Sequence, residues 1–174
     1  MKGLRVRDAR PGDRGAIEAV TLAAYQQYAA SMPALWDGYR QNILATLAAA
    51  QPDAQIVAEE GDRIVGSVLL HPSGSVIARP GGGSVALAWP EVRLLAVAPA
   101  ARGQGVGAAL MQACIRRARN AGAAALTLHT TEIMQAAMRL YERIGFVRAP
   151  ELDFEPAPGV TIKGYRLGLD EMGC

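Results

Sequence analysis

The chain has 174 residues, 51% hydrophobic and 20% charged, with a formal net charge of +2; these are the proportions of a soluble globular protein, and the length fits one domain spanning 1–174. No basic run is present to follow a phosphate backbone, which argues against nucleic acid as a partner. No apolar stretch approaches the ~20 residues of a membrane span, which argues against a membrane partner. Cys114 falls in a helical stretch and Cys174 is the last residue, a pair that offers neither a disulfide framework nor a metal spacing. A cytoplasmic protein without metal is the expectation, and the charged start Met1-Lys2-Gly3-Leu4-Arg5 does not read as a signal peptide.

In chain order, Leu4 to Asp8 alternates apolar and charged residues and predicts a strand. Pro11-Gly12-Asp13 supplies a turn and an N-cap for a helix carrying Ile17, Val20, Tyr25 and Tyr28. Met32-Pro33 breaks it, and a second helix is predicted from Trp36 to Ala50. Gln55 to Glu60 and Arg63 to Leu70 flank Gly61-Asp62, a hairpin signal. Residues 71–84, rich in Pro and Gly, read as a loop. Val85 to Val97 carries further strand, with Pro90 tolerated at a strand start or bulge. A helix from about Gly105 to Asn120 ends at Gly122. There follow a strand at Ala125 to Thr130, a helix from Ile133 to Ile144 closed by Gly145, and strands at Phe146 to Arg148 and Ile162 to Leu169. This order predicts a mixed α/β fold rather than a fully parallel one.

The segment with the most chemistry is Glu91-Val92-Arg93-Leu94-Leu95-Ala96-Val97-Ala98-Pro99-Ala100-Ala101-Arg102-Gly103-Gln104-Gly105-Val106-Gly107-Ala108. It reads as strand, short loop, alternating glycines and helix start. A helix begins with unpartnered N–H groups and the positive end of its dipole, and glycines leave those groups open to an anion. Arg102 adds a formal charge at the mouth of that seat.

Arg102-Gly103-Gln104-Gly105-Val106-Gly107 resembles the coenzyme A pyrophosphate motif Arg/Gln-x-x-Gly-x-Gly/Ala of the GCN5-related N-acetyltransferase (GNAT) family. Downstream, Leu140-Tyr141-Glu142-Arg143-Ile144-Gly145-Phe146 is similar to that family's Leu-Tyr-Glu-x-x-Gly-Phe helix end, in the same order and separation. The resemblance implies a mixed, mostly antiparallel central sheet flanked by helices, with splayed parallel strands at a coenzyme cleft. It implies acetyl-CoA as co-substrate and direct attack by a primary amine of a small-molecule acceptor. The main chain of Leu95, Ala96 and Val97 would hold the pantetheine arm, and an N–H near Leu95 would face the thioester oxygen. The N–H groups of Gly103, Gln104, Gly105, Val106, Gly107 and Ala108 would seat the pyrophosphate, with Arg102 adding charge. Tyr141 would be the general acid at the coenzyme sulfur and Glu91 the general base, with a water chain the alternative to Glu91. Family members often dimerise, so a homodimer is expected, although no interface is legible. One departure is Met134, where relatives often carry Asn; Thr130, Thr131 or Gln135 are the available substitutes.

For the acceptor, Tyr28, Trp36, Tyr39, Trp89 and Phe154, with the acidic run Glu151, Asp153 and Glu155, would suit a cationic amine. Two rivals are weighed. Gly103-x-Gly105-x-x-Ala108 formally satisfies a dinucleotide fingerprint, but five residues separate it from the strand and the next strand ends in Leu128-His129-Thr130 rather than an acid. A non-catalytic acyl-CoA-binding or sensor domain would need neither Glu91 nor Tyr141.

Overall fold

The computed structural model describes residues 3–170, so Cys174 lies outside the described residues. It groups the chain into two compact units, one of residues up to 70 with 94–113, the other of 71–93 with residues from 114 onward. The chain passes between them inside two strands, after Leu70 and after Arg93, and inside one helix, after Ala113.

In the first unit β1 (Leu4–Asp8), β2 (Gln55–Glu60) and most of β3 (Arg63–His71) form an antiparallel meander. Gly61, at φ 60, takes the left-handed turn that joins β2 to β3. Helices α1 (Arg14–Tyr25) and α2 (Trp36–Ala49) supply Ile17, Ile43 and Leu47 to a core shared with Val57 of β2 and Leu69 of β3. Each is nearly solvent-free, so each contributes about 1.5–3 kcal/mol of burial. An ion-pair knot fixes α1's entry. Arg7 reaches Asp13 at 2.7 Å and Glu59 at 2.7 Å, and Asp13 also accepts the Arg10 N–H.

The second unit begins with a hairpin, β4 (Val76–Ala78) and β5 (Ser84–Ala86), where the Pro and Gly content predicts only a loop. Buried Ile77 is its anchor. The opening residues of β6 (Glu91–Val97) run parallel to β7 (Ala125–Thr130), which pairs antiparallel with β10 (Val160–Gly168). Both β8 (Val147–Arg148) and β9 (Phe154–Ala157) pair antiparallel with β10. The parallel ladder registers Glu91 with Thr127 and Val92 with Leu128 and goes no further among the described residues. The next part of β6 is kinked at Leu94, whose φ of 51 is unusual for a residue with a branched side chain.

Two more helices complete the chain: α3 (Val106–Asn120), with Gly122 in the left-handed region after it, and α4 (Gln135–Ile144), closed by Gly145 at φ 113. The fold is mixed α/β, mostly antiparallel, with one parallel strand pair and flanking helices.

Candidate functional site

Leu95, Ala96 and Val97 close β6, with Ala96 buried and its two neighbours half-buried. The Ala98 N–H donates to the Val65 carbonyl at 2.8 Å, which fixes the end of β6 against β3. A single helical turn, Pro99–Ala101, then carries the chain to an exposed run from Arg102 to Gly105. Gly103 and Gly105 have φ of 72 and 81, a region closed to ordinary side chains, and a Cβ on Gly103 would meet nothing within 4 Å. The space above this turn is therefore open.

Val106 begins α3 and is buried. Ala109 N–H donates to Gly105 O at 3.0 Å, so the N–H groups of Val106, Gly107 and Ala108 precede the first bond of the helix ladder. What seats this helix start is a glycine on β3. A Cβ on Gly66 would lie 2.8 Å from Val106 Cγ1 and 3.0 Å from both Leu110 Cδ1 and Ala96 O. Only a residue without a side chain lets the first turn of α3 approach the strand so closely. Gln104 braces the turn, its amide donating to Ala100 O at 3.1 Å.

Arg102 is less free than its place in the motif implies. Its Nη2 donates to Ala24 O at 3.1 Å, near the C-terminal end of α1, where a cation is favoured. Tyr28 lies close enough for burial to push its phenol up while Arg102 opposes that shift.

Glu91 has quite different surroundings. It is 1% exposed, and Arg79 clamps it with both guanidinium nitrogens, Nη1 to Oε2 and Nη2 to Oε1, each at 3.1 Å. His129 Nδ1 lies 2.8 Å from Oε1, a close charge contact set off the line of the ring N–H. Burial, the strongest influence, opposes ionisation, yet His129 and Arg79 together hold the carboxyl below its ordinary range. His71, at the end of β3, is pushed down by burial and then by Arg93, with Glu91 opposing and Arg79 assisting. Its Nε2 is buried with no hydrogen-bond partner among the described residues.

Tyr141 is on α4, 7% exposed, its ring edge-on to Phe146 with centroids 6.0 Å apart. Met134 occupies the N-cap of α4 and provides no side-chain cap. Just before it, the hydroxyls of Thr130 and Thr131 are buried without a partner, whereas Gln135 donates to the Glu132 carbonyl.

The acidic run has its own partners. Glu151 pairs with Arg166 at 2.6 Å, and Asp153 holds Arg148 through two contacts of 2.8 Å while accepting the Gly164 N–H. Arg148 draws the Asp153 carboxyl down to about 2. Those two acids are therefore committed, and Glu155 is left exposed. The aromatics divide by unit. Tyr28, Tyr25, Tyr39 and Trp36 form a chain of tilted ring contacts about α1 and α2, whereas Trp89 faces Arg166 and Phe154 faces Arg79. Arg79 is the residue that sequence reasoning missed. It stands alone in a Pro- and Gly-rich stretch, and its partner is fixed only by the hairpin fold.

Cys114 is fully buried, and its thiol is pushed up to about 12 by that burial, as a core residue's would be. No three His, Cys, Asp or Glu residues among those described are grouped to hold a metal. No described helix is long and apolar enough to cross a membrane.

A mixed sheet leading through a glycine turn into a helix places the chain in a recognisable class of α/β proteins, and comparison with known proteins narrows it. A profile of the acetyltransferase (GNAT) family matches residues 21–146. The chain belongs to that family. N-alpha-acetyltransferase 30 of Schizosaccharomyces pombe is 33% identical over 101 residues, 58% of this chain and 62% of that protein. A mycothiol acetyltransferase of Geodermatophilus obscurus is 35% identical over 99 residues, 56% of this chain and 30% of that protein. The match thus spans less than two thirds of either relative's length. The crystal structure of a GNAT family acetyltransferase from Brucella melitensis in complex with acetyl-CoA has a TM-score of 0.60 at 25% identity, covering 97% of this chain and 89% of that one.

Proposed function

We propose that the chain is an N-acetyltransferase that moves the acetyl group of acetyl-CoA to a primary amine of a small-molecule acceptor, by direct attack within a ternary complex. The observation that carries this reading is the open start of α3. The N–H groups of Val106 to Ala108 precede the first bond of the helix ladder, a Cβ on Gly103 would meet nothing within 4 Å, and Gly66 holds the helix in place. A pyrophosphate is the anion such a seat suits. Acetyl-CoA is present in the Brucella melitensis relative, which supports the same co-substrate here.

In this reading the N–H groups from Gly103 to Ala108 hold the pyrophosphate, and Arg102 contributes the part of its guanidinium not committed to Ala24. The main chain of Leu95, Ala96 and Val97 aligns the pantetheine arm, with an N–H near Leu95 directed at the thioester oxygen. The amine lone pair attacks the thioester carbon, the C–S bond breaks, and the Tyr141 phenol gives its proton to the departing sulfur. The extra proton on the attached nitrogen returns through water to the Tyr141 oxygen. The proton lost by the ammonium passes to water. Glu91, the other route, is a weak acceptor, because its charge is already spent on Arg79 and His129. The protein works in the cytoplasm, without a metal, and without nucleic acid or membrane as partners; a homodimer fits the habit of the family.

The experiment is thiol release from acetyl-CoA against a broad amine panel, followed by product mass. Amine-dependent release with a product heavier by one acetyl group supports the reading. Coenzyme binding with no amine-dependent release across the panel contradicts it.

A further inference from the structure

Three elements of the second unit meet at one carboxylate. Glu91 stands at the start of β6, opposite Thr127 of β7. Arg79 comes to it from the turn of the β4–β5 hairpin, and His129 from β7. Each of these two side chains then makes its second contact with the same stretch of chain. Arg79 lies 5.0 Å over the ring of Phe154. His129 meets that ring edge-on at 5.2 Å, and its Nε2 lies 2.9 Å from the Leu152 carbonyl. A further contact joins the same two regions, for a Cβ on Gly81 would run into the backbone of Pro156. The hairpin turn is thus fitted against β9 by shape at Gly81 and by charge through Arg79.

The carboxylate has little left to offer a substrate. Its two oxygens already take two guanidinium N–H groups and face an imidazole nitrogen, and the side chain is 1% exposed. Arg93 and His71 lie nearby on β6 and β3, His71 held towards its neutral form by burial. A proton placed on Glu91 would leave the Arg79 guanidinium without its counter-charge in a buried setting, where an uncompensated charge is costly. A base must accept such a proton in every turnover; a fastening group must never do so.

We infer that Glu91 is a positioning residue: held between Arg79 and His129, it fastens the β4–β5 hairpin to the Leu152–Pro156 segment and takes no proton during turnover. Its effect on catalysis, which rests on the acetyl-transfer reading, is to set the loops that receive the acceptor. Its effect on the hairpin stands without that reading.

The deciding experiment is hydrogen exchange followed by mass spectrometry on the full chain. Glu91→Gln and Arg79→Met are each expected to speed amide exchange about tenfold in 74–87 and 152–157, leaving 106–120 unchanged, while Arg79→Lys restores much of the protection. Unchanged exchange in 74–87 in both Glu91→Gln and Arg79→Met overturns the inference, and Arg79→Met alone decides if Glu91→Gln does not fold. The kinetic arm uses thiol release from acetyl-CoA with the fastest amine of the panel. Glu91→Gln should raise the acceptor KM about tenfold while kcat stays within threefold and keeps the wild-type acidic limb. A hundredfold loss of kcat with disappearance of that limb identifies a proton acceptor and overturns the inference. If no amine is acetylated, the function reading fails, and exchange still decides the role of Glu91.

Discussion

The turn from Arg102 to Gly105 and the cluster around Glu91 both adjoin β6, and they use polar groups in opposite ways. In the turn, backbone donors at a helix start precede the first bond of the helix ladder, with open space beside Gly103. Around Glu91, both carboxylate oxygens are engaged by Arg79 and one faces His129, and the carboxylate is closed to solvent. Donors held ready without a partner are what a ligand site requires, because binding need not first break an internal bond. A buried carboxylate clamped by a guanidinium and faced by an imidazole is what a joint between loops requires. Residues that stand at the start of one strand and in the turn beyond its end therefore do not share a task.

The contrast can be sharpened by substitutions, taken from the largest expected effect to the smallest. Tyr141→Phe keeps the ring against Phe146 and removes the hydroxyl, so turnover should fall about 10²-fold, the low end for a general acid. Acetyl-CoA affinity should stay within twofold by titration, and equal losses of both would assign Tyr141 to packing. Gly66→Ala should lower stability by about 1–3 kcal/mol in denaturant unfolding, since the new methyl would crowd Val106, Leu110 and Ala96. Coenzyme affinity should fall with it, because the same glycine seats the helix start; unchanged affinity would show that the seat tolerates a shifted helix.

Asp153→Asn should cost about 0.5–1 kcal/mol, the range for a partly exposed ion pair. Its folded carboxyl sits at about 2, below the usual 3.8, so the pair's contribution is complete above pH 3.8 and lost as pH falls through 2. Acid titrations of wild type and variant should therefore converge in that window. Arg102→Met should weaken coenzyme binding only ~3-fold, since an exposed charge is screened and this guanidinium is partly tied to Ala24. A hundredfold loss would mean that the side chain, rather than the backbone, makes the seat.

Local signals carried most of the fold. The alternation at Leu4 to Asp8, the Gly61-Asp62 hairpin and the helix end at Gly145 each fall where the sequence places them. Strand is expected from Val85 onward, but β4 and its pairing with β5 were not legible, because residues 71–84 are rich in Pro and Gly and show no apolar alternation. Its order comes from Ile77 and from contacts with β9, which lie far away in sequence. The same holds within the site. Glycine spacing and a following helix are local, so the turn at Gly103 and Gly105 could be read directly. The pairing of Arg79 with Glu91, and the commitment of Glu151 and Asp153 to arginines, depend on strands brought together by folding.

The central claim is that the helix start at Val106 seats the coenzyme pyrophosphate, and calorimetric titration of Gly105→Val with coenzyme A tests it most directly. A β-branched residue at φ 81 would both strain the turn and cover the open N–H groups. Wild type should bind, and the variant, folded by circular dichroism, should show no measurable heat at a hundredfold higher concentration. Binding by the folded variant with wild-type affinity would contradict the account.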